Sequence, residues 1–359
     1  MPKRLLLFLI FLIPLFLPEL LQAQNISAPK YSNEFLNIGV GARALGMGGV
    51  QSAIVQDATA GFWNPAGLVH LPKRHNIGYM HSELFAGIIK NDFGTYATSL
   101  DSSSAFAFSA IRVGVDDIPD TRRLQNAYGG IQYDSIEFFS VADYAFIASY
   151  ARKSNWLPGL SFGANAKIIY RNVGDFASAW GFGIDAGAQL QRGKWQFGVM
   201  AKDITTTFTA WKLNPDELEE TYLQNDSSFS SNSIEVTLPR LILGVGRTFQ
   251  FKEKFTATVA TDLDVTFDGN RNTLISSGLV SVDPHVGLEI GYGNSVFLRG
   301  GLNNFQKIEN LDGKSSWKVQ PNFGIGVATH GLALDLALSK VAADSQTSSV
   351  IVSLAYSFD

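Results

Sequence analysis

Strict alternation of apolar and polar residues over long segments is the feature that most constrains the fold of this chain. In residues 180–190, aromatic and aliphatic side chains occupy every even position, and glycine, aspartate or glutamine occupies every odd position. Residues 332–339 repeat the pattern, with leucine at every even position. Because a period of two places alternate side chains on opposite faces of a strand, these segments are predicted β-strands.

About fourteen such strands are predicted between residues 73 and 358, each long enough for a tilted membrane crossing. Short connections are expected at 101–103, 192–193, 252–253, 293–294 and 330, and long ones at 115–138, 205–236, 268–278 and 306–315. Short turns on one side and long loops on the other are typical of outer-membrane barrels. We therefore predict an all-β fold: a transmembrane outer-membrane β-barrel of antiparallel strands, surrounded by outer-membrane lipid, with both termini periplasmic.

The first 23 residues read as a signal peptide. Lys3 and Arg4 precede an apolar run, and Ala23 offers a small residue at the cleavage position. The alternative, an uncleaved anchor helix, is disfavoured because the apolar run is short for a membrane-spanning helix. The predicted organisation is a signal peptide (residues 1–23), an N-terminal segment that includes a luminal plug (residues 24–70), and a transmembrane barrel (residues 71–359).

Composition argues against several classes of function. The net charge of -4 gives no basic footprint for nucleic acid, and the absence of cysteine excludes disulfides and thiolate chemistry. The five histidines show no metal-ligand spacing, and no serine lies in a nucleophile elbow. The run at residues 39–44 lacks the third glycine of a dinucleotide fingerprint. We expect no catalytic residue, metal or cofactor, and hence no enzyme.

A glycine-rich segment, residues 37–68, has no strand-like alternation and is predicted to plug the barrel. Its glycines allow tight turns or close approach to the barrel wall, and Asp57 and Asn64–Pro65 have the features of helix N-termini. The candidate plug residues are Gly41, Arg43, Gly46, Gly48, Gly49, Asp57, Asn64, Pro65 and Gly67.

Nine charged residues fall on the polar face of predicted strands. Burial of an unpaired charge is costly, so these residues require either partners or water. They form a salt-bridged or hydrated lumen, or else a permeation path or a cradle that holds the plug. Arg43 is a candidate partner for one of the acids. The candidates are Lys167, Arg171, Asp185, Lys202, Asp262, Asp264, Glu289, Arg299 and Asp335.

The two longest loops carry the candidate partner-binding residues Arg122, Arg123, Trp211 and Glu217. Either they belong to ordinary solvated outer loops, or they form a docking surface or a lid over the barrel mouth. The sequence leaves both interpretations open.

The glycine-rich segment resembles a known signature. GARALGMGG at residues 41–49, followed by WNPAGL at residues 63–68, is similar to the N-terminal motif of PorV/PorQ-type proteins, which belong to the superfamily of the fatty-acid transporter FadL. The resemblance implies a fourteen-stranded barrel with its N-terminal segment in the lumen. It also implies work with the type IX secretion system, with the translocon and the C-terminal signal domains of cargo as partners. Barrel-assembly signals commonly end on an aromatic residue, whereas Asp359 follows Phe358 here.

Three functions follow from these observations. The main prediction is a non-enzymatic component of type IX protein secretion. The alternative is a FadL-like passive transporter of a hydrophobic ligand, gated by the plug, which requires an apolar pocket beside the plug. A soluble periplasmic β-protein is the third.

Overall fold

A computed structural model describes residues 32–124, 128–215, 217, 232–309, 315–340 and 347–359. The predicted signal peptide and the residues that follow it up to 31 lie outside this description. None of the described helices is long enough and apolar enough to span a membrane.

Seventeen antiparallel strand segments are formed by the described residues. In chain order they are β1 (His75–Leu84), β2 (Ile89–Ser99), β3 (Ser104–Asp120), β4 (Glu137–Lys153), β5 (Leu160–Val173), β6 (Ala177–Arg192), β7 (Trp195–Lys202), β8 (Thr207–Leu213), β9 (Asn232–Thr237), β10 (Arg240–Phe251), β11 (Phe255–Thr266), β12 (Ile275–Ser276), β13 (Ser281–Tyr292), β14 (Val296–Glu309), β15 (Ser315–Thr329), β16 (Leu332–Lys340) and β17 (Ser348–Phe358).

Fourteen of these segments form a closed antiparallel ring. The ring runs from β1 to β7, passes to β10 and β11, continues from β13 to β17, and closes where β17 pairs with β1. The hairpin β8–β9 extends the wall beside β6, and the two-residue β12 pairs with β13. The predicted fourteen-stranded barrel is confirmed.

The two ends of the barrel differ in the lengths of their connections. The end at which β1 begins and β17 ends, here called the terminal end, has connections of six residues or fewer. The opposite end, the loop end, has the long connections at 121–136, 214–231 and 267–280. Strand pairing continues further than the sequence predicts: β3 and β4 pair as far as Asp120 and Glu137, and the expected loop 205–236 contains β8 and β9. The strand ends were predicted from the apolar side chains that face the membrane. Backbone hydrogen bonds can continue beyond those side chains, so the strands are longer than predicted.

Bulky apolar side chains point outward, as lipid contact requires. Trp180, Phe182 and Leu354 are each about half exposed, whereas their neighbours Gly181 and Gly183 face the interior. An outward aromatic ring marks the terminal end, as at a membrane interface. It includes Tyr96, Phe106, Tyr150, Phe162, Trp195, Phe251, Phe255, Tyr292 and Tyr356.

The inner face of the barrel has two distinct halves. On β1 to β5 it is largely apolar, with Met80, Phe93, Ile111, Ile147 and Ile169 all at most 3% exposed. The charged inward residues predicted from the sequence lie mainly on β5 to β16. The alternation rule therefore fails on several strands of the apolar half, because the plug covers their inner face and makes it a protein core.

The wall is interrupted between β7 and β8. Residues 203–206 form a turn in which Asp203 and Thr206 have positive φ. On the neighbouring strand, Leu238 and Pro239 separate β9 from β10. A proline has no N–H to donate to the ladder, which is consistent with a break in pairing at this point.

Glycines on the inner wall let the plug backbone lie directly against the strands. A Cβ at any of these positions would overlap plug atoms or press closely on them, so the wall and the plug fit only without side chains there. The set is Gly163, Gly187, Gly198, Gly244, Gly246, Gly287, Gly301 and Gly324.

We expect Gly301→Ala to weaken seating of the plug, because the new Cβ would overlap the backbone of Met47 and Gly48. Overpacking of this kind costs about 1–3 kcal/mol of unfolding free energy. The matched control is Gly300→Ala on the same strand, where no atom lies within 4 Å of the new Cβ. Urea unfolding in lipid vesicles and limited proteolysis of the plug measure both effects. Equal stability and equal plug proteolysis in the two variants would contradict the close contact between Gly301 and the plug backbone.

Candidate functional site

The segment that fills the lumen has two parts. A strap, residues 32–40, contains a 3-10 helix at Glu34–Asn37, and a plug, residues 41–70, follows it. The plug contains α1 (Ala42–Gly46), α2 (Ala60–Trp63) and a 3-10 helix at Pro65–His70.

The last plug helix begins as its sequence predicts. Asn64 is its N-cap, its side-chain oxygen accepts from the Ala66 N–H at 3.1 Å, and Pro65 occupies the first position. The N-cap of α2 is Thr59 instead of the expected Asp57, whose carboxylate accepts from the Thr59 N–H at 2.8 Å. The difference arises because Asp57 closes a turn just before the helix.

The plug approaches the wall at its own glycines. Cβ atoms at Gly46 and Gly48 would lie 3.0 and 3.1 Å from the backbones of Gly324 and Leu302. Gly41 and Gly49 have positive φ, and Gly67 is packed against the carbonyl of Val55 within the plug. These positions therefore suit glycine for backbone reasons.

Arg43 joins the plug to an ion network on the wall. Its guanidinium donates to both oxygens of Glu289, at 2.9 and 3.0 Å, and lies 3.6 Å from Asp57. Arg299 in turn contacts Glu289 at 2.7 Å and Asp335 at 2.6 Å. Burial acts to lower the pKa of Arg43, but Glu289 and Asp57 raise it above its ordinary value, so the guanidinium stays charged.

Asp262 holds the plug through hydrogen bonds, and no salt bridge to it is formed among the residues that the structure describes. Its carboxylate accepts from the backbone N–H groups of Gln51 and Ser52, both at 2.9 Å, and from the Ser52 hydroxyl at 2.8 Å. Near it, Nδ1 of His285 lies 2.7 Å from the carbonyl oxygen of Gly48. The neighbouring Asp264 pairs instead with Arg240 at 3.1 Å.

Two buried lysines near the wall break have different surroundings. Lys167 lies 2.7 Å from both Asp185 and Asp203. Lys202 has no carboxylate within 4.0 Å among the described residues, and its ammonium group lies 4.5 Å from the ring centre of Phe62. A cation over an aromatic face is partly stabilised by the ring.

Arg171 belongs to a separate pair near the loop end. It contacts Asp143 at 2.8 Å and Glu235 at 3.4 Å, and lies over the ring of Trp211. Arg122 contacts Glu217 at 3.3 Å, whereas Trp211 contacts Arg171 instead.

Arg123 makes its described contact through its backbone, accepting from the Ser135 hydroxyl at 2.7 Å. Most of the acidic run that follows Pro215 lies outside the described residues.

Sequence reasoning missed several residues that position the plug. Asn165 donates to the carbonyl of Gly61, Ser161 to that of Ala66, and Gln189 to that of Ser52. All three side chains point inward from β5 and β6, and the alternation of inward and outward residues along a strand could have identified them. Their uncharged side chains did not stand out from other polar positions.

A cavity of about 410 Å³ lies between the plug and the loop end. Its apolar side is formed by the strap and plug residues Leu36, Ile38, Leu45 and Trp63. Its other side is polar and is contributed mainly by β10 to β17. Among the described residues, no group of three or more His, Cys, Asp or Glu side chains is placed to hold a metal ion.

Solved structures with the same architecture align with 89% of this chain. The toluene transporter TodX of P. putida is 16% identical, over 89% of this chain and 99% of that one, with a TM-score of 0.56. The monoaromatic hydrocarbon channel CymD is 14% identical, over 89% and 98%, with a TM-score of 0.55. A Pseudomonas aeruginosa FadL homologue is 12% identical, over 89% and 98%, with a TM-score of 0.51.

The fold is that of the FadL-like outer-membrane barrels. No protein-family profile matches the chain, and no curated protein matches it. The FadL-like architecture supports an outer-membrane location.

The predicted role in type IX secretion is wrong. The FadL-like barrels that this chain resembles are described as hydrocarbon transporters and channels, which favours the alternative prediction. The translocon and cargo signal domains are accordingly unsupported as partners. The PorV/PorQ subtype stays a prediction from the plug motif alone.

Proposed function

We propose that this FadL-like barrel is a passive channel for hydrophobic small molecules, with the plug as its gate. The observation that carries the proposal is the cavity above the plug, which has an apolar side formed by the strap and plug. Its volume of about 410 Å³ falls within the range of small-molecule sites. The fold shared with hydrocarbon transporters supports the same function.

The packing below the cavity supports a gating role for the plug. The plug fills the lumen toward the terminal end, where it is hydrogen-bonded to strands β4 to β6. These contacts and the ion network are non-covalent, so the plug can shift without bond breakage. A ligand in the cavity therefore needs a plug displacement to continue toward that end.

The proposal includes an orientation in the outer membrane. The short turns of the terminal end and its outward aromatic ring support a periplasmic position for that end. The cavity then opens toward the cell exterior, on the side from which an imported molecule arrives. In this proposal, the PorV/PorQ-like motif reflects a plug sequence that is related to that of PorV/PorQ-type proteins, and it does not indicate a function in secretion.

Uptake by intact cells tests the function. Gram-negative cells that express the chain should accumulate radiolabelled toluene or octane several-fold faster than vector controls. Ile351→Trp should reduce that rate, because Ile351 is 1% exposed and lines the cavity. The matched control is Val352→Trp, which faces lipid on the same strand.

Folding of both variants is checked by the heat-dependent shift of the barrel on gels. Uptake no faster than the vector control would overturn the proposal. Equal uptake by folded Ile351→Trp and Val352→Trp would show that the transported molecule does not pass through the cavity.

A further inference from the structure

The cavity is lined by apolar side chains on the side of the strap and plug, and by mainly polar side chains on the side of the barrel wall. Opposite the apolar side lies a row of uncharged amide and hydroxyl side chains on β14 to β17, here called the amide strip. It consists of Asn303, Asn304, Gln320, Asn322, Ser339 and Ser349.

Hydrogen bonds within the amide strip fix its geometry. Asn322 donates to Asn303 at 2.9 Å, and Asn304 donates to Gln320 at 3.2 Å. Gln320 donates to the hydroxyl of Ser339 at 3.2 Å. The strip is therefore neutral and preorganised, and amides retain hydrogen-bonding capacity beyond these single contacts.

Ser349 is the member of the strip that its own network does not satisfy. It is 1% exposed, it lines the cavity, and its Oγ has no hydrogen-bond partner among the described residues. Oγ1 of Thr266, another residue that lines the cavity, is also buried and without a described partner. Buried polar atoms are normally satisfied, so these two hydroxyls indicate a polar group in the cavity.

We propose that the cavity selects amphipathic molecules with an apolar body and an uncharged hydroxyl or carbonyl group over hydrocarbons of the same shape. The apolar body packs against Leu36, Ile38 and Leu45, and the polar group hydrogen-bonds to the amide strip, including the hydroxyl of Ser349. This inference rests on the proposed function and names its substrate class. A pure hydrocarbon would displace water from the amide strip and leave those groups unpaired, which is unfavourable.

Titration calorimetry of the purified full barrel with p-cresol and p-xylene tests the inference, because the two differ only by hydroxyl for methyl. Hydrophobic transfer alone favours p-xylene, so a preference for p-cresol reports the polar contacts. We expect p-cresol to bind at least ~10-fold more tightly, since a site that hydrogen-bonds a hydroxyl discriminates against its analogue.

Ser349→Ala should reduce the preference while the empty barrel keeps its stability, because its hydroxyl has no described partner. Asn322→Leu should reduce it further. The matched control is Ser82→Ala, equally buried at 0% exposure but bonded to the carbonyl of Asn91 on the neighbouring strand and outside the cavity lining. That variant should keep the preference.

Equal or tighter binding of p-xylene overturns the inference, as does an unchanged preference in folded Ser349→Ala. Cellular uptake separates this failure from failure of the channel itself. If toluene uptake persists while p-cresol has no advantage, the proposed function stands and the substrate class is wrong. If neither compound binds and no hydrocarbon is taken up, both proposals fail.

Discussion

Lys167→Met is expected to lower the free energy of unfolding by about 3–5 kcal/mol, the cost of removing one partner from a buried ion pair. Lys167 lies 2.7 Å from Asp185 and Asp203, and its side chain is 3% exposed. The substitution leaves two carboxylates beside the wall break without their cation. Urea unfolding in lipid vesicles gives the measurement.

Lys202→Met is the matched control, because Lys202 is similarly buried but has no carboxylate within 4.0 Å among the described residues. Methionine can keep the contact with Phe62 and removes a desolvated charge, so we expect no loss of stability. The triple variant Lys167→Met, Asp185→Asn, Asp203→Asn should recover part of the loss. A larger loss of unfolding free energy in Lys202→Met than in Lys167→Met would contradict the conclusion that Lys167 is the ion-paired lysine and Lys202 is not.

Locking the plug to the wall should lower uptake at least ~10-fold if plug movement gates the channel. The chain has no cysteine, so an engineered pair forms one defined cross-link. A Cβ at Gly61 in α2 would lie 3.6 Å from the Cβ of Ala107 on β3. This separation is close to the ~3.8 Å of native disulfides. The nearby Ser149 hydroxyl, 2.9 Å from the same position, must rotate to admit the new side chain.

The double variant Gly61→Cys, Ala107→Cys provides its own control, because reduction should restore uptake. The two single-cysteine variants should be insensitive to reductant. Uptake that is equally fast in the oxidised and reduced forms would mean that α2 does not move during transport, and the gating role of the plug would then fail.

Much of the barrel could be predicted because a membrane fixes what each strand must look like. The alternation in residues 180–190 and 332–339 gave both the strands and the face that meets lipid. The hairpin β8–β9 was missed because its strands continue beyond the segments identified from membrane-facing residues. The position of β8 depends on its pairing with β6, and a pattern within a short stretch of sequence does not reveal that pairing.

The site was less predictable because its contacts join positions distant in the chain. Parity placed Glu289, Arg299 and Asp335 in the lumen, and Arg43 was expected to have an acidic partner. The choice of Glu289 over Asp262 depends on how the plug sits against β13, which the sequence does not encode locally. Asp262 caps backbone N–H groups of the plug instead.

The apolar inner surface of the first strands makes the plug part of the protein core. Ile111 on β3 and Ile147 on β4 face inward and are at most 3% exposed with the plug in place. Their outward neighbours Phe108 and Phe146 are exposed on the lipid-facing side. An empty barrel would expose the inward apolar side chains to water in its lumen, and that exposure is unfavourable. Closure of the barrel and docking of the plug are therefore thermodynamically coupled.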